Sequence, residues 1–273
     1  MKEPQILLQT KLLTPMKYLF IIFSISLFLS CSAQQKVKSQ VILLTDSIQN
    51  PYVFLNELKI ISSNKTASEN TNKAIQQLSE NESIKTAIPE ERLALKKNLL
   101  KNCFNVDSSQ CEYVLEGYKI LSNINKILNI KYNYNSFGSN ENWSKYACFD
   151  LKTGERVTYD LLFIRPKVAL EKYNQRYLSE IKAHLKENKL VTENDKEEYE
   201  LYKDHLEMKI PFNLEDLNNL EFVYDKTNKI KYIRFHYNGT GGTYKALFPN
   251  DYIEFTIYEL KPNLKEYLND RLN

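Results

Sequence analysis

The sequence predicts an α+β fold in which helices pack on a mixed or antiparallel sheet. Strand-forming and helix-forming segments follow one another without the regular strand–helix–strand alternation of a parallel α/β fold. The clearest strand lies at 252–258, where Ile253, Phe255 and Ile257 alternate with polar or aromatic neighbours. The clearest helix begins at Pro166 and carries one apolar stripe. The members of this stripe are Leu170, Tyr173, Tyr177, Leu178, Ile181 and Leu185.

Local patterns predict the elements of the first half of the chain. In chain order they are a strand at 41–44, a helix at 67–82, a helix from Pro89, and strands at 113–122 and 127–135 joined around 123–126. Pro89 suits the first position of a helix because that position needs no N–H donor. Glu90 and Glu91 follow in the first turn, where the helix dipole favours acidic side chains.

A hairpin precedes the long helix. We expect a strand at 146–151, a turn at 152–155, a continuing strand at 156–159 and an exit from the hairpin at 160–163. Gly154 permits the positive φ that such a turn requires. The hairpin carries no catalytic motif, so its predicted role is architectural. Later elements are a charged helix at 193–207, strands at 220–224 and 229–237 around a turn at 225–228, and a short helix from Pro262.

The N-terminus predicts export. Residues 16–31 read MKYLFIIFSISLFLSC, with basic Lys17 before an uncharged apolar run that is too short to span a bilayer comfortably. The ending at Ser30-Cys31 resembles the lipobox of bacterial lipoproteins, in which the cysteine is acylated. An uncleaved short anchor or an ordinary secretory signal is the alternative. Several acyl chains anchor a protein stably, so the resemblance implies a membrane-anchored lipoprotein facing the periplasm or the cell surface.

The predicted organisation has four segments. They are a signal peptide with the lipobox cysteine at 1–31, a tether at 32–40, an N-terminal α+β domain at 41–165 and a C-terminal α+β domain at 166–273. Translation could start at Met1 or at Met16. A formal net charge of +3 over 273 residues gives no electrostatic footprint for nucleic acid, so we expect no nucleic-acid partner.

The four cysteines fit an exported chain. Cys31 is the predicted lipidation site, and Cys103 and Cys111 flank a short polar segment that a disulfide could close in an oxidising compartment. Cys148 lies in an apolar context and is predicted to be a buried, inert thiol. No spacing of cysteines and histidines indicates a metal site.

Candidates for chemistry are weak. His184 and His205 lie on predicted helices without partners at ligand spacing, and His236 is predicted at the surface or in a satisfied position. The glycines of 239–242 lack the ending of a phosphate-binding loop. Acidic residues at 197–200 suit a solvated helix face. We therefore predict no catalytic residue, no metal and no cofactor.

Several segments together resemble a known family. They are a helix around Asn72-Lys73-Ala74-Ile75, then YKILSNINKILNIKYNY, FDLKTGERVTYDLLF, a long helix, and IEFTIYELKPNL at 253–264. This order is similar to the paired domains of unknown function in the extracytoplasmic part of the lysozyme-sensing anti-sigma factor RsiV and before the catalytic domain of the peptidoglycan deacetylase PdaC. Residues 136–140 lack the histidine usual there, and the later loop reads HYNGTGGTYKALF. The resemblance implies the fold and an envelope location, but neither signalling nor deacetylation.

Two functions stay open at this point. The first is a cell-envelope binding protein without catalytic activity that recognises an envelope protein or glycan, with the loop at 237–247 in its contact surface. Tyr237, Tyr244 and Lys245 would supply aromatic and cationic contacts. The alternative is an envelope hydrolase or transferase whose site is assembled from distant residues. Neither the ligand nor the oligomeric state follows from the sequence.

Overall fold

The computed structural model describes residues 39–47, 54–104, 111, 113–136, 142–187, 212–236 and 250–266. The chain from Ser39 onward forms one compact unit. Helices accompany three antiparallel sheets of two, four and three strands, which confirms the predicted α+β class. None of the helices in the described part combines the length and apolar character that a membrane span requires.

The elements have these bounds. The strands are β1 (Gln40–Ser47), β2 (Phe54–Ile61), β3 (Val114–Ile124), β4 (Ile127–Ser136), β5 (Trp143–Asp150), β6 (Glu155–Arg156), β7 (Leu220–Tyr224), β8 (Ile230–His236) and β9 (Tyr252–Thr256). The α-helices are α1 (Lys65–Gln76), α2 (Pro89–Cys103), α3 (Tyr159–Leu162), α4 (Pro166–Glu187) and α5 (Ile257–Leu260). Two 3₁₀ helices cover Leu214–Asn218 and Lys261–Asn263.

The four-stranded sheet, in the order β3-β4-β5-β6, lies at the centre of the fold. A two-residue turn joins β3 to β4, and both Asn125 (φ 52°) and Lys126 (φ 63°) adopt the left-handed backbone conformation that such a tight hairpin needs. Gly154, with φ 83°, lies in the turn between β5 and β6. A Cβ atom at Gly154 would come within 2.3 Å of the Ala67 carbonyl oxygen, so this position also lets α1 pack closely on the turn.

One face of the central sheet packs against α1 and the β1–β2 hairpin. Side chains of β2, α1, β3, β4 and β5 form a common core there. The buried members are Leu58, Ile60, Ile75, Leu78, Tyr118, Leu128, Ile130, Tyr132, Ala147, Phe149 and Leu151. Asn72 fixes α1 on β2, because its Nδ2 donates to the Ile60 carbonyl at 3.0 Å and its Oδ1 accepts from the Ile60 N–H at 2.9 Å.

The opposite face packs against the three-stranded sheet β7-β8-β9 and the helix α4. Cys148 and Val157 from the central region share one core with Tyr173 of α4 and Phe235 of β8. Phe163 and Leu264 form an isolated antiparallel bridge in the same region. The core therefore contains residues from both sides of position 165, and the division into domains at 41–165 and 166–273 stays a prediction.

Several predicted elements differ in detail. The helix predicted at 67–82 covers Lys65–Gln76. The continuing strand predicted at 156–159 ends at Arg156, and Tyr159–Leu162 forms the short helix α3. Ile257 begins α5 instead of continuing β9, because Thr256 caps that helix by accepting from the Glu259 N–H. Strand β2 was not predicted. The helix predicted at 193–207 lies outside the described residues.

Candidate functional site

Three rings meet where β8 ends. Tyr146 of β5 stacks on His236 with ring centroids 3.3 Å apart and planes 3° apart. Tyr252, the first residue of β9, meets His236 edge-on at 5.6 Å. We call Tyr146, His236 and Tyr252 the aromatic cluster. It joins the central sheet to the three-stranded sheet, and the chain leaves the latter at His236 and re-enters it at Tyr252.

Hydrogen bonds of Asn219, through its side chain and its backbone, hold the cluster in place. The Asn219 Nδ2 donates to the His236 carbonyl at 2.8 Å, and the His236 N–H donates to the Asn219 carbonyl at 2.7 Å. The Oδ1 of the same side chain accepts from the Tyr146 N–H. Because one buried asparagine binds both strands, the two stacked rings have fixed positions before any partner arrives.

Burial determines the protonation state of His236. Its side chain Nε2 lies 3.0 Å from Glu221 Oε2, and only 4% of the residue is exposed. Desolvation lowers the pKa of His236, although the carboxylate of Glu221 acts in the opposite direction. The Nδ1 atom is buried and has no hydrogen-bond partner. The imidazole is therefore a neutral, rigid ring at neutral pH.

Two cations flank the tyrosines. The Nζ of Lys131 lies 5.5 Å from the centroid of the Tyr146 ring, and the guanidinium of Arg234 lies 4.4 Å from that of Tyr252. Arg234 is held by an ion pair in which its Nε donates to Glu254 at 2.7 Å. Both tyrosines are half-buried. Fixed, partly exposed rings beside cations suit contacts with a protein surface or a sugar ring.

A second cluster of charged residues is structural. Lys96 Nζ lies 2.8 Å from Glu57 and 3.0 Å from Glu116, while Arg92 pairs with Glu57 at 3.1 Å. All four side chains are completely buried. The hydroxyl of Tyr132 donates to Glu116. Two cations balance two carboxylates, and no solvent reaches them, so the cluster holds β2, α2 and β3 together rather than facing a substrate.

The predicted site residues are placed as follows. Cys103 and Cys111 are joined in a disulfide with Cα atoms 5.1 Å apart, the pairing proposed from the sequence. Cys148 is fully buried, and burial raises the pKa of its thiol, as expected of an inert cysteine. Cys31, Tyr237, Tyr244 and Lys245 lie outside the described residues, as does His205, and the side chain of His184 is also not described.

The sequence did not single out Tyr146, Tyr252 or Asn219. Tyr146 was assigned to a strand, and Tyr252 was treated only as a polar neighbour in an alternating pattern. A tyrosine at the end of a strand is a weak signal, since tyrosines are frequent in sheets in general. In the described part of the chain, no group of three or more histidine, cysteine or acidic side chains is arranged to hold a metal ion.

Solved structures that are similar to this chain include two DUF3298 family proteins. No family model matches the chain, and no curated protein matches it. A crystal structure of a DUF3298 family member from Bacteroides fragilis NCTC 9343 has a TM-score of 0.49 and 12% identity, over 87% of this chain and 97% of that chain. A DUF3298 family protein from Pseudomonas aeruginosa PAO1 has a TM-score of 0.42 and 10% identity, over 86% and 97%. At these identities the two likenesses say nothing about what this chain binds.

Proposed function

We propose that this chain is a lipid-anchored protein of the bacterial cell envelope that binds an envelope protein or a glycan and catalyses no reaction. The observation that carries the proposal is the aromatic cluster with its flanking cations. Aromatic rings and arginine are the groups that contribute most to binding energy at protein interfaces. Here they are already fixed by Asn219 and by the ion pair of Arg234 with Glu254.

The chemistry of His236 favours binding over catalysis. Its Nε2 is paired with Glu221. The ring of Tyr146 covers one face of the imidazole, which restricts the approach of a substrate from that side. A catalytic histidine has to reach a nucleophile or a substrate proton within hydrogen-bond distance. Among the described residues, Glu221 is the hydrogen-bond partner of the imidazole, and a carboxylate paired with a buried ring stabilises structure.

The anchoring part of the proposal rests on the sequence. The apolar run that ends at Ser30-Cys31 resembles a lipoprotein signal, and acyl chains on Cys31 would hold the protein at a membrane. The order of segments that resembles the extracytoplasmic domains of RsiV and PdaC agrees with this location. In the same proposal the loop at 237–247, with Tyr237, Tyr244 and Lys245, extends the contact surface beyond the aromatic cluster.

A capture experiment tests the binding surface. The full chain, immobilised in non-ionic detergent, is offered purified peptidoglycan and, separately, solubilised envelope proteins. Tyr252→Ala and Arg234→Ala should each weaken capture at least tenfold, as expected for central interface residues. The matched control is Tyr258→Ala, which removes a tyrosine that is 87% exposed in α5, just after the other end of β9. Unchanged capture by both cluster variants would remove the aromatic cluster from the function.

A separate experiment tests the anchor. Wild-type protein and Cys31→Ala are expressed with the complete N-terminus and partitioned between detergent and water. The wild type should enter the detergent phase, and Cys31→Ala should shift to the aqueous phase or retain an uncleaved signal, visible as a larger mass. Equal partitioning and equal mass of the two proteins would contradict lipidation.

A further inference from the structure

A cavity of about 330 Å³ lies beside the central sheet, and Asn219, which also holds the aromatic cluster in place, is part of its lining. Leu78, just after α1, and Tyr134 of β4 form part of its wall, together with Lys145 of β5 and Arg156 of β6. The 3₁₀ helix Leu214–Asn218 closes the remaining side with polar residues. This volume is at the lower end of the range for sites that bind small molecules.

Arg156 is the unusual residue of the cavity. One of its terminal nitrogens, Nη2, donates to the Asn218 carbonyl at 3.0 Å. Its Nε is buried without a hydrogen-bond partner, and the described residues offer it no ion pair. Largely buried cations in proteins are normally paired, because removing a charge from water is costly. Because this Nε has no accessible surface, a ligand in the cavity would bind the terminal nitrogens of Arg156. No ion pair among the described residues balances the charge of the guanidinium, and Glu215 acts on it only from a longer distance.

The side chains next to Arg156 do not form an ion pair with its guanidinium. The side chain of Asn218 is already engaged, since its Oδ1 accepts from the Tyr159 N–H at 2.9 Å and its Nδ2 donates to Glu215 at 2.8 Å. Lys145 forms an ion pair with Glu80, and its Nζ also lies 5.3 Å from the Tyr134 ring centroid. The cavity thus has one unpaired cation and one cation that is shared with an acid.

The local charge balance limits which anion fits. Glu80 and Glu215 carry two negative charges next to the two positive charges of Lys145 and Arg156. A doubly charged phosphate would be repelled by both carboxylates, whereas a single carboxylate needs only one unpaired cation. The planar guanidinium also matches the geometry of a carboxylate, with two parallel hydrogen bonds.

We propose that this cavity binds the carboxylate of a small ligand, with Arg156 as its main partner and Lys145 as the second cation. The carboxylate could belong to the end of a peptide or to an acidic sugar, which present the same group. Asn219 borders both sites, but none of the three rings of the aromatic cluster lines the cavity, so the proposal does not depend on the binding function described above.

Calorimetric titration of the full chain in non-ionic detergent tests the proposal with four probes. They are N-acetyl-alanyl-alanine, the amide of the same dipeptide, glucuronate and inorganic phosphate. We expect the dipeptide acid or glucuronate to bind with a Kd of about 1 mM or tighter, a value typical of ligands of this size. Binding of the dipeptide alone identifies a peptide end, and binding of glucuronate alone identifies a sugar acid. Equal binding of the dipeptide and its amide, binding of phosphate alone, or no binding would each overturn the proposal.

Variants connect the binding to the cavity. Arg156→Gln should weaken the binding of the carboxylate probe at least tenfold, as expected for the loss of a charged hydrogen bond. Its thermal midpoint should change little, because the substitution removes one hydrogen bond, to the Asn218 carbonyl, and breaks no ion pair of the described residues. Lys145→Gln, at a partly exposed position, should weaken the binding of the same probe by a smaller factor. Lys152→Gln, an exposed lysine in the neighbouring turn, is the control and should bind like the wild type. Unchanged affinity in Arg156→Gln and Lys145→Gln would overturn the assignment.

Discussion

The ring of Tyr146 lies flat on the imidazole of His236, with centroids 3.3 Å apart. This contact joins the central sheet to the three-stranded sheet and removes the histidine from water. Protonation of His236 would place a charge in that buried stack, next to Arg234 and Lys131, both of which lower its pKa further. The stack consequently links the binding surface to a histidine whose pKa burial holds below its ordinary value.

We predict that the stack makes folding sensitive to mild acid. The pKa of His236 is lowered by burial from its ordinary value of 6.5, so below that pH the unfolded chain takes up a proton that the folded protein does not. The contribution of His236 to stability is therefore full above pH 6.5 and falls as the pH drops below it. Thermal midpoints at pH 7.5 and pH 5.5 measure the effect.

His236→Gln is the comparison for this prediction. The variant lacks the ring stack at both pH values, so the loss of the stack lowers its midpoint equally at each pH. A difference between the two proteins in their response to pH therefore comes from the titration of His236. The midpoint of the variant should change less between pH 7.5 and pH 5.5 than the wild-type midpoint does. An equal change in the two proteins would show that His236 does not titrate abnormally.

Lys96→Met should destabilise the protein strongly. The substitution leaves Glu57 paired with Arg92 alone and removes the cation that pairs with the buried Glu116. Breaking a buried ion pair from one side costs about 3–5 kcal/mol of unfolding free energy. Denaturant unfolding of the adjacent variant Lys97→Met is the control. Lys97 pairs with Asp46 at the surface, where such pairs contribute roughly 0–1 kcal/mol. Similar losses in the two variants would contradict the assigned role of Lys96.

The same buried cluster shows why strand β2 could not be predicted from the sequence. Segment FLNELKII contains Glu57 at a position that the fold buries completely, and the alternation of a half-buried strand is interrupted there. Arg92 and Lys96 neutralise this charge from α2, far along the chain. In α2 the two cations occupy the buried face with Pro89, Leu100 and Cys103, so a stripe defined by apolar residues alone misses them.

The elements that could be predicted are those whose signal lies in neighbouring residues of the sequence. Strand β9 follows its alternating pattern, α2 begins at Pro89, and the buried residues Tyr173, Tyr177 and Ile181 of α4 keep the predicted spacing. The candidate sites leave no such signal, because their residues are not neighbours in the sequence. Tyr146 and His236 are distant in the sequence and meet only because two sheets pack face to face, and such contacts leave no periodic signal.

Gly154→Ala should lower the free energy of unfolding. Alanine would have to adopt φ 83°, and its Cβ would lie 2.3 Å from the Ala67 carbonyl oxygen, so the strained backbone and the contact with α1 add to roughly 2–5 kcal/mol. Gly117→Ala is the control, since its Cβ would approach the side chain of Asn56 no closer than 3.1 Å. We expect about 1 kcal/mol there. Denaturant unfolding that ranks Gly117→Ala as the more damaging change would refute the close packing at Gly154.

The three cysteines after the N-terminal segment should react in a fixed order. Without reductant, the folded protein should not be alkylated at Cys148, because the thiol is fully buried and burial raises its pKa. Denaturation without reductant should expose Cys148 alone, while Cys103 and Cys111 appear in one disulfide-linked peptide by mass spectrometry. Reduction should then release both, with a loss of about 2.5 kcal/mol from the free energy of unfolding, as expected for closing so short a loop. Cys148→Ala serves as the control and should show no alkylation before reduction. Alkylated Cys103 and Cys111 in the unreduced sample would refute the disulfide, and rapid alkylation of Cys148 in the folded protein would refute its burial.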